Sequence, residues 1–436
     1  MALGLNFRNV LVGLVFVLGA VLFQPVNQRL TTLGLRRPLD SLPMIHGHAT
    51  EIIANTQHCE DVHYHSDSGF IYTACQTGDP HARYEWFPPL GIFEDHRKAT
   101  GGRLFVVDPK TFKARQLTLQ GFKHDFVTHG IDVVSDVTDK ENVYIFAVNH
   151  PPNPKHYLAS GGRSSSEPKA QSQIEIFTHK PGSDVAVHRR SIRSPLITTP
   201  NDIVATSASR FYVTNDHYYR EGRRRMLEDF LTRGAAPWTN MSLVTITDAQ
   251  AADPTTGFQA LPVLRGLHNN NGLGHAGPDN KDEILVTDAS GGVLYRLRRR
   301  AGTEALQVIE EVQMPIMLDN PSWYEDEWKT RDNDASGYIL NGLARGIDLA
   351  AHMHDQSVSA AVQVYHLRAN GSAGAAGGHK HWEKRLVYSD RGAQLNTVSG
   401  AVVVGIDPAQ NGGKKQGWLF MTGFVGKNMV AARIDL

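Results

Sequence analysis

Cysteine is almost absent: Cys59 and Cys75 are the only two in 436 residues. A disulfide-framework fold is excluded at that count, and at most one internal bridge can form. An excess of one charge is also missing. Lys plus Arg and Asp plus Glu number 44 each, so there is no basic field to hold nucleic acid and no acidic surplus to keep the chain unfolded. The chain has no Gly-x-Ser-x-Gly elbow, Walker loop, His-Glu-x-x-His or Cys-x-x-Cys, so serine-nucleophile, nucleotide and zinc chemistry all lose weight. Long amphipathic helical patterns are scarce. The apolar run from Val10 to Phe23 falls short of the roughly 20 residues that comfortably span a bilayer.

What the chain does have is a rhythm of short β-branched and aromatic patches between turn signals, with 40 glycines and 21 prolines dispersed among them. The patches are Phe70-Ile71-Tyr72, Leu104 to Val107, Val143 to Phe146, Phe211-Tyr212-Val213, Ile284-Leu285-Val286, Val362 to Tyr365 and Trp418-Leu419-Phe420. That pattern predicts an all-β fold, either a propeller or a large sandwich. Divided into four-stranded blades, the region 41–436 gives six, although no repeat is regular enough to demonstrate the count.

Arg8, the apolar run and Gln24-Pro25 outline a secretory signal, with no small-x-small cleavage site after it. We therefore expect a signal-like or retained anchor segment over residues 1–30, a single unit over 41–436, and a chain in the secretory pathway, secreted or membrane-anchored. Export tolerates a disulfide. Cys59 and Cys75 flank the turn Ser66 to Gly69, so a hairpin bridge is expected, the alternative being two buried free thiols. Asn240-Met241-Ser242 and Asn370-Gly371-Ser372 fit the glycosylation sequon. Tyr219 to Arg233 reads as a short basic helix with Met226, Leu227, Phe230 and Leu231 on one side, either a charged rim helix or a lid that meets membrane or lipid. Ala369 to Gly378 reads as a surface loop.

Oxygen-bearing pairs recur at strand ends: Glu60-Asp61, Asn201-Asp202, Asn215-Asp216-His217, Asn269-Asn270-Asn271 and Asp319-Asn320. Each alone is ordinary turn chemistry. Together they amount to about one cluster per blade, and convergence on an axis would make a site for a hard cation such as Ca²⁺, which takes six to eight oxygen ligands. Neighbours on a strand face opposite ways, so Glu60 and Asp61 would serve two ions rather than chelate one. His129, before Gly130-Ile131, and His150, before Pro151-Pro152, also fall at strand ends and are candidates for a general-base pair.

In this combination the chain resembles the serum paraoxonase/arylesterase family of calcium-dependent lactonases. The resemblance is carried by Asn201-Asp202-Ile203-Val204-Ala205, by Phe211-Tyr212 with Thr214-Asn215-Asp216-His217-Tyr218, and, in order around them, by Glu60-Asp61, His129-Gly130-Ile131, Asn149-His150-Pro151, Asn271-Gly272 and Asp319-Asn320. It implies a six-bladed propeller with two calcium ions in its central tunnel. Glu60, Asn201, Asn271, Asp319 and Asn320 would bind the catalytic ion, and Asp61, Asp202 and the carbonyl of Ile131 the deeper structural one. By the same resemblance His129 is the base and His150 its proton-relay partner, acting on small lactones or aryl esters with phosphotriesters as a side activity. Asn215, Asp216 and His217 would form part of the pocket.

Two departures stand out. The family's cysteine near the C-terminus is missing here, so ring closure must rest on strand pairing, and residues 326–413 resemble the family only faintly. The competing readings are a non-catalytic calcium-stabilised propeller that binds a partner or membrane, and a propeller enzyme of the gluconolactonase or strictosidine-synthase type.

Overall fold

The β-branched and aromatic patches all lie in strands, and the strands assemble into six antiparallel sheets arranged as the blades of a propeller. The computed structural model describes residue 19 and residues 23–158, 166–370 and 381–436. Most of the signal-like segment, residues 371–378 of the Gly/Ala stretch, and Gly371 and Ser372 of the second sequon lie outside the described residues.

Each blade starts with the strand nearest the tunnel and moves outward. Blade 1 runs Cys59–His65, Phe70–Gln76, Gly102–Asp108, Lys113–Gln116; blade 2 begins at Thr128–Ser135, blade 3 at Pro200–Ser207 and blade 4 at Asn270–His275. In blade 5 the inner position is split between Met317–Leu318 and Ser322–Tyr324, which leaves Asp319-Asn320 in the gap between them. Blade 6 combines Val398–Ile406, Gln416–Gly423 and Met429–Asp435 with Thr50–Ile53 from the start of the chain, Thr50 pairing with Ala432 and Ile53 with Met429. The ring is thus closed by strand pairing, as the missing C-terminal cysteine required.

The core lies between blades rather than at the axis. Tyr72, Leu104 and Val106 of blade 1 pack on Ile131, Val133 and Ile145 of blade 2, and equivalent clusters fill the other interfaces. The axis is left to polar groups, and two glycines let the inner strands close around it. A Cβ on Gly130 would sit 2.3 Å from Asp202 Oδ1, and one on Gly272 would sit 2.4 Å from the Asn320 Cα. His-Gly-Ile and Asn-Gly are therefore close-approach motifs, each bringing a ligand candidate against its neighbour.

Cys59 and Cys75 pair across the first hairpin and are joined in a disulfide, as expected. One expectation needs correction. The helix after the Asn-Asp-His run covers only Arg223–Phe230, starting at Gly222 in left-handed geometry (φ 82°) and stopping at extended Leu231. It docks by its polar side: the Glu228 carboxylate accepts from the Tyr218 and Tyr219 N–H groups, and Arg225 donates to the Pro89 carbonyl. Met226, Leu227 and Phe230 consequently face outward, Phe230 80% exposed. The first sequon lies on a strand: half-buried Asn240 belongs to Thr239–Ile246 and its side-chain oxygen accepts from Asn215 Nδ2 at 2.8 Å. No described helix is long and apolar enough to cross a membrane.

Candidate active site

A cavity of about 670 Å³ opens at one end of the tunnel. Glu60, His129, Asn201, Asn271 and Asp319 line it, and Asn320 reaches it from the blade 5 gap, its Nδ2 donating to Glu60 Oε1 at 3.3 Å. The expected outer set of oxygen ligands is therefore brought together. Below it, Asp61 Oδ2 accepts from the Ile131 N–H at 2.9 Å, and Asp202 Oδ2 from the Leu273 N–H at 2.6 Å. Because N–H and C=O of one residue in an antiparallel strand point the same way, the Ile131 carbonyl also faces the tunnel. Of the adjacent pairs, Glu60 and Asn201 line the cavity, and Asp61 and Asp202 do not.

The chemistry of the outer set can be tested against a cation. Glu60 Oε2, Asn201 Oδ1, Asn271 Oδ1 and Asn320 Oδ1 are all buried and accept no hydrogen bond. Leaving one buried acceptor unpaired costs about 1–3 kcal/mol, so four facing one cavity is a costly arrangement unless something positive meets them. The carboxylates point the same way. Burial, then Asp319 and Asp61, push Glu60 well above the usual range, while burial, then Asp61 and Glu60, do the same to Asp202. Burial followed by Asp61 raises Asp319. These residues fit a hard divalent cation with mixed carboxylate and amide ligands. Among the described residues no group of three His, Cys, Asp or Glu forms a metal cluster by itself, and three of the five outer donors are amides. The side-chain oxygens of Asp61 and Asp202 all accept hydrogen bonds. Asp61 also meets His63 at 3.2 Å, and although burial opposes it, the Asp61 charge and hydrogen bond, with Asp132, push His63 up to about 9.

His129 and His150 are in hydrogen-bond contact, Nδ1 to Nε2 at 3.1 Å. His150 Nδ1 meets Ser172 Oγ at 2.9 Å, Trp86 Nε1 donates to the His150 carbonyl, and Phe87 packs edge-on against His129. Burial, only partly offset by Asp216, pushes His129 down to about 4, and burial with His129 itself depresses His150. Both rings are therefore neutral near pH 7. His129 Nε2 lies 3.8 Å from Glu60 Oε1, which sets the pair at the edge of the oxygen cradle.

Of the expected pocket residues, Asp216 and His217 line the cavity and Asn215 does not. Asn215 is a loop clamp, its Oδ1 accepting from the Thr198 and Thr199 N–H groups and its Nδ2 donating to the Leu196 carbonyl. His217 lies between Asp216 at 3.0 Å and Asp229 at 2.8 Å. Burial opposes its charge, but Asp216 raises it.

Sequence reasoning missed buried Arg83, next to the site, and several residues of the cavity wall. Buried Arg83 donates to the Thr128 carbonyl and hydroxyl, and burial lowers it to about 10 against the pull of Glu60. Arg29 and Leu33 come from the N-terminal segment; Leu343, Ile347, Leu349 and Met353 come from the faintly resembling region and form an apolar wall. His268, hydrogen-bonded to Asp288, lines the cavity away from the His129–His150 pair in sequence. No spacing motif marks any of these.

Fold and site together define a six-bladed propeller with a buried histidine pair beside an oxygen cradle at its tunnel mouth. Comparison with known proteins agrees with the resemblance read in the sequence: residues 163–326 match the Arylesterase family model. Serum paraoxonase/arylesterase 2 of Rattus norvegicus is 26% identical over 240 residues, 54% of this chain and 57% of that protein. Serum paraoxonase/arylesterase 2 of Homo sapiens gives the same figures, and serum paraoxonase/lactonase 3 of Homo sapiens is 31% identical over 224 residues, 50% of this chain and 53% of that protein. The chain spans about half the length of the curated relatives it matches. Residues 163–326 are thus similar to the arylesterase family, and about half of the chain is similar to these proteins.

Proposed function

We propose that this protein is a calcium-dependent hydrolase of lactones or aryl esters, with phosphotriesters as a side activity. The observation that carries the proposal is the set of four buried, unpartnered side-chain oxygens, Glu60 Oε2, Asn201 Oδ1, Asn271 Oδ1 and Asn320 Oδ1, next to the neutral His129–His150 pair. Glu60, Asn201, Asn271, Asp319 and Asn320 would hold one calcium, and Asp61, Asp202 and the Ile131 carbonyl a second, deeper one. When bound, the outer ion would supply a Lewis acid for the carbonyl or phosphoryl oxygen. The remaining work belongs to the chain. The apolar wall of Leu343, Leu349 and Met353 orients the substrate and excludes water, His129 takes a proton from the attacking water, and His150, fixed by Ser172, relays it.

The test is hydrolysis of aliphatic lactones and phenyl acetate, with and without a calcium chelator, on the wild type and on His129→Gln. Expected is a loss of about 10²–10⁴-fold in the variant, in line with removal of a general base. Equal inactivity of both proteins with calcium bound leaves the non-catalytic propeller instead. Activity that survives full calcium removal rejects the calcium role.

The proposal extends to location. The Cys59–Cys75 bridge supports a secretory-pathway protein. The outward Met226, Leu227 and Phe230, together with the exposed cavity-rim residues Leu90 and Ile347, support contact with a lipid surface. Flotation with liposomes should fall in a Met226→Asp/Phe230→Asp variant, and unchanged flotation rejects that contact.

A further inference from the structure

The cavity holds a second pair of proton-transfer groups that the reading above leaves unused. His268 is 2% exposed and its Nδ1 lies 3.1 Å from both oxygens of Asp288, which is fully buried. Asp288 is itself fixed: the Gly291 N–H donates to its Oδ1 at 2.7 Å, and a Cβ at Gly291 would fall 2.4 Å from its Oδ2. The carboxylate thus has one orientation, and through it so has the imidazole. Nε2 of His268 has no partner among the described residues, and the ring lines the cavity, which makes Nε2 its free edge. Asn269, next in sequence and with φ at 38°, spans the gap to the other wall, its Nδ2 donating to the Asp216 carbonyl and its Oδ1 accepting from the Ser290 N–H. The charged groups around the dyad are Arg29 of the N-terminal segment, Arg233 beyond the rim helix and Asp229 on that helix.

The two histidine sites differ in a way that divides the labour of hydrolysis. His129 hydrogen-bonds a second imidazole, His150, which in turn meets the Ser172 hydroxyl. His268 leans on a carboxylate, which neutralises the ring when both nitrogens carry protons. Ester cleavage needs both kinds: a base for the water, and an acid for a leaving oxygen that departs badly as an alkoxide.

We propose that His268, held by Asp288, is the general acid that protonates the leaving alcohol. This rests on the hydrolase reading above. Water adds to the carbonyl carbon and gives a proton to His129. The bond from that carbon to the leaving oxygen then breaks, its electron pair stays on the oxygen, and the oxygen takes the proton from His268 Nε2. Solvent removes the proton from His129 and restores the one on His268, so one ester and one water yield one acid and one alcohol. His268 is the catalytic residue and Asp288 a positioning residue.

The proposal predicts a loss graded by leaving group. For His268→Gln, kcat/KM should fall by less than about tenfold on 4-nitrophenyl acetate, whose leaving group needs no proton, and by about 10²–10⁴-fold on an aliphatic lactone or alkyl acetate. Asp288→Asn should show the same grading with smaller losses. Equal losses on both esters, or none on either, overturn the dyad while leaving the hydrolase reading intact; a wild type inactive on every ester overturns both. A second measurement needs no variant. Across aryl and alkyl acetates the wild-type kcat/KM should depend only weakly on leaving-group acidity, and a steep dependence overturns the proposal even if His268→Gln fails to fold.

Discussion

At the residue scale, the site is built from groups that are costly without a ligand. Asn201 is the clearest case: buried, with Oδ1 unpartnered and only a long 3.4 Å contact from Nδ2 to Asp216. Asn201→Leu removes an unpaired acceptor, so the calcium-free protein should become more stable, by about 1–3 kcal/mol if the full penalty is relieved. By the proposed function, the same change would remove a calcium ligand. A thermal melt titrated with calcium should therefore start higher in the variant and rise less, since stabilisation by a ligand follows its affinity. A variant that starts lower and rises as much as the wild type would show that the oxygen is not a ligand. This residue also marks how far the sequence could be read. Asn201-Asp202 and Glu60-Asp61 were legible because opposite facing follows from strand geometry alone. His268 and Asp288 were not, since they lie 20 residues apart, His268 in the turn before blade 4 and Asp288 at the end of the strand Glu283–Asp288, and meet only through the fold.

At the element scale, strand existence was legible and helix orientation was not. Patches such as Val143 to Phe146 announce themselves by composition, and the structure extends that one to Val143–Asn149. The rim helix shows the limit: its apolar residues were expected on one side, but nothing local revealed that Glu228 and Arg225 would be the buried anchors and Phe230 the exposed one. A strand of blade 5, Val362–Asn370, carries a further consequence in His366, fully buried beside Tyr324. Burial, then Arg385 and Arg368, push it down to about 3. The folded ring stays neutral while the unfolded one takes a proton below about pH 6.5, so its effect is absent above that pH and destabilises progressively as pH falls towards 3. At pH 5 the penalty is about 2 kcal/mol. His366→Phe should thus gain stability relative to the wild type between pH 7.5 and pH 5 in denaturant melts. A wild-type-to-variant difference that is the same at both pH values would contradict this.

At the scale of the whole molecule, the chain's beginning is tied to both the ring and the cavity. Thr50–Ile53 completes blade 6, while residues 23–42 lie across the face that bears the cavity. Arg37 donates to the Ala344 carbonyl at 2.7 Å and the Pro315 carbonyl at 2.8 Å, and Arg345 returns the contact to the Gly34 and Arg37 carbonyls. Leu42 is buried with Ala344 and Ala361, and Arg29 and Leu33 form part of the cavity wall. The two roles separate by truncation. Removal of residues 1–42 leaves the closing strand in place, so a cooperative melt should persist, lowered by several degrees for the lost contacts, while KM rises with kcat little changed because a wall that binds substrate is gone and the histidine sites remain. Removal of residues 1–53 takes the strand that fastens blade 6, so cooperative unfolding should be lost altogether. If the two truncations melt alike, ring closure does not depend on Thr50–Ile53; if the shorter truncation leaves KM unchanged, Arg29 and Leu33 are bystanders at the cavity mouth.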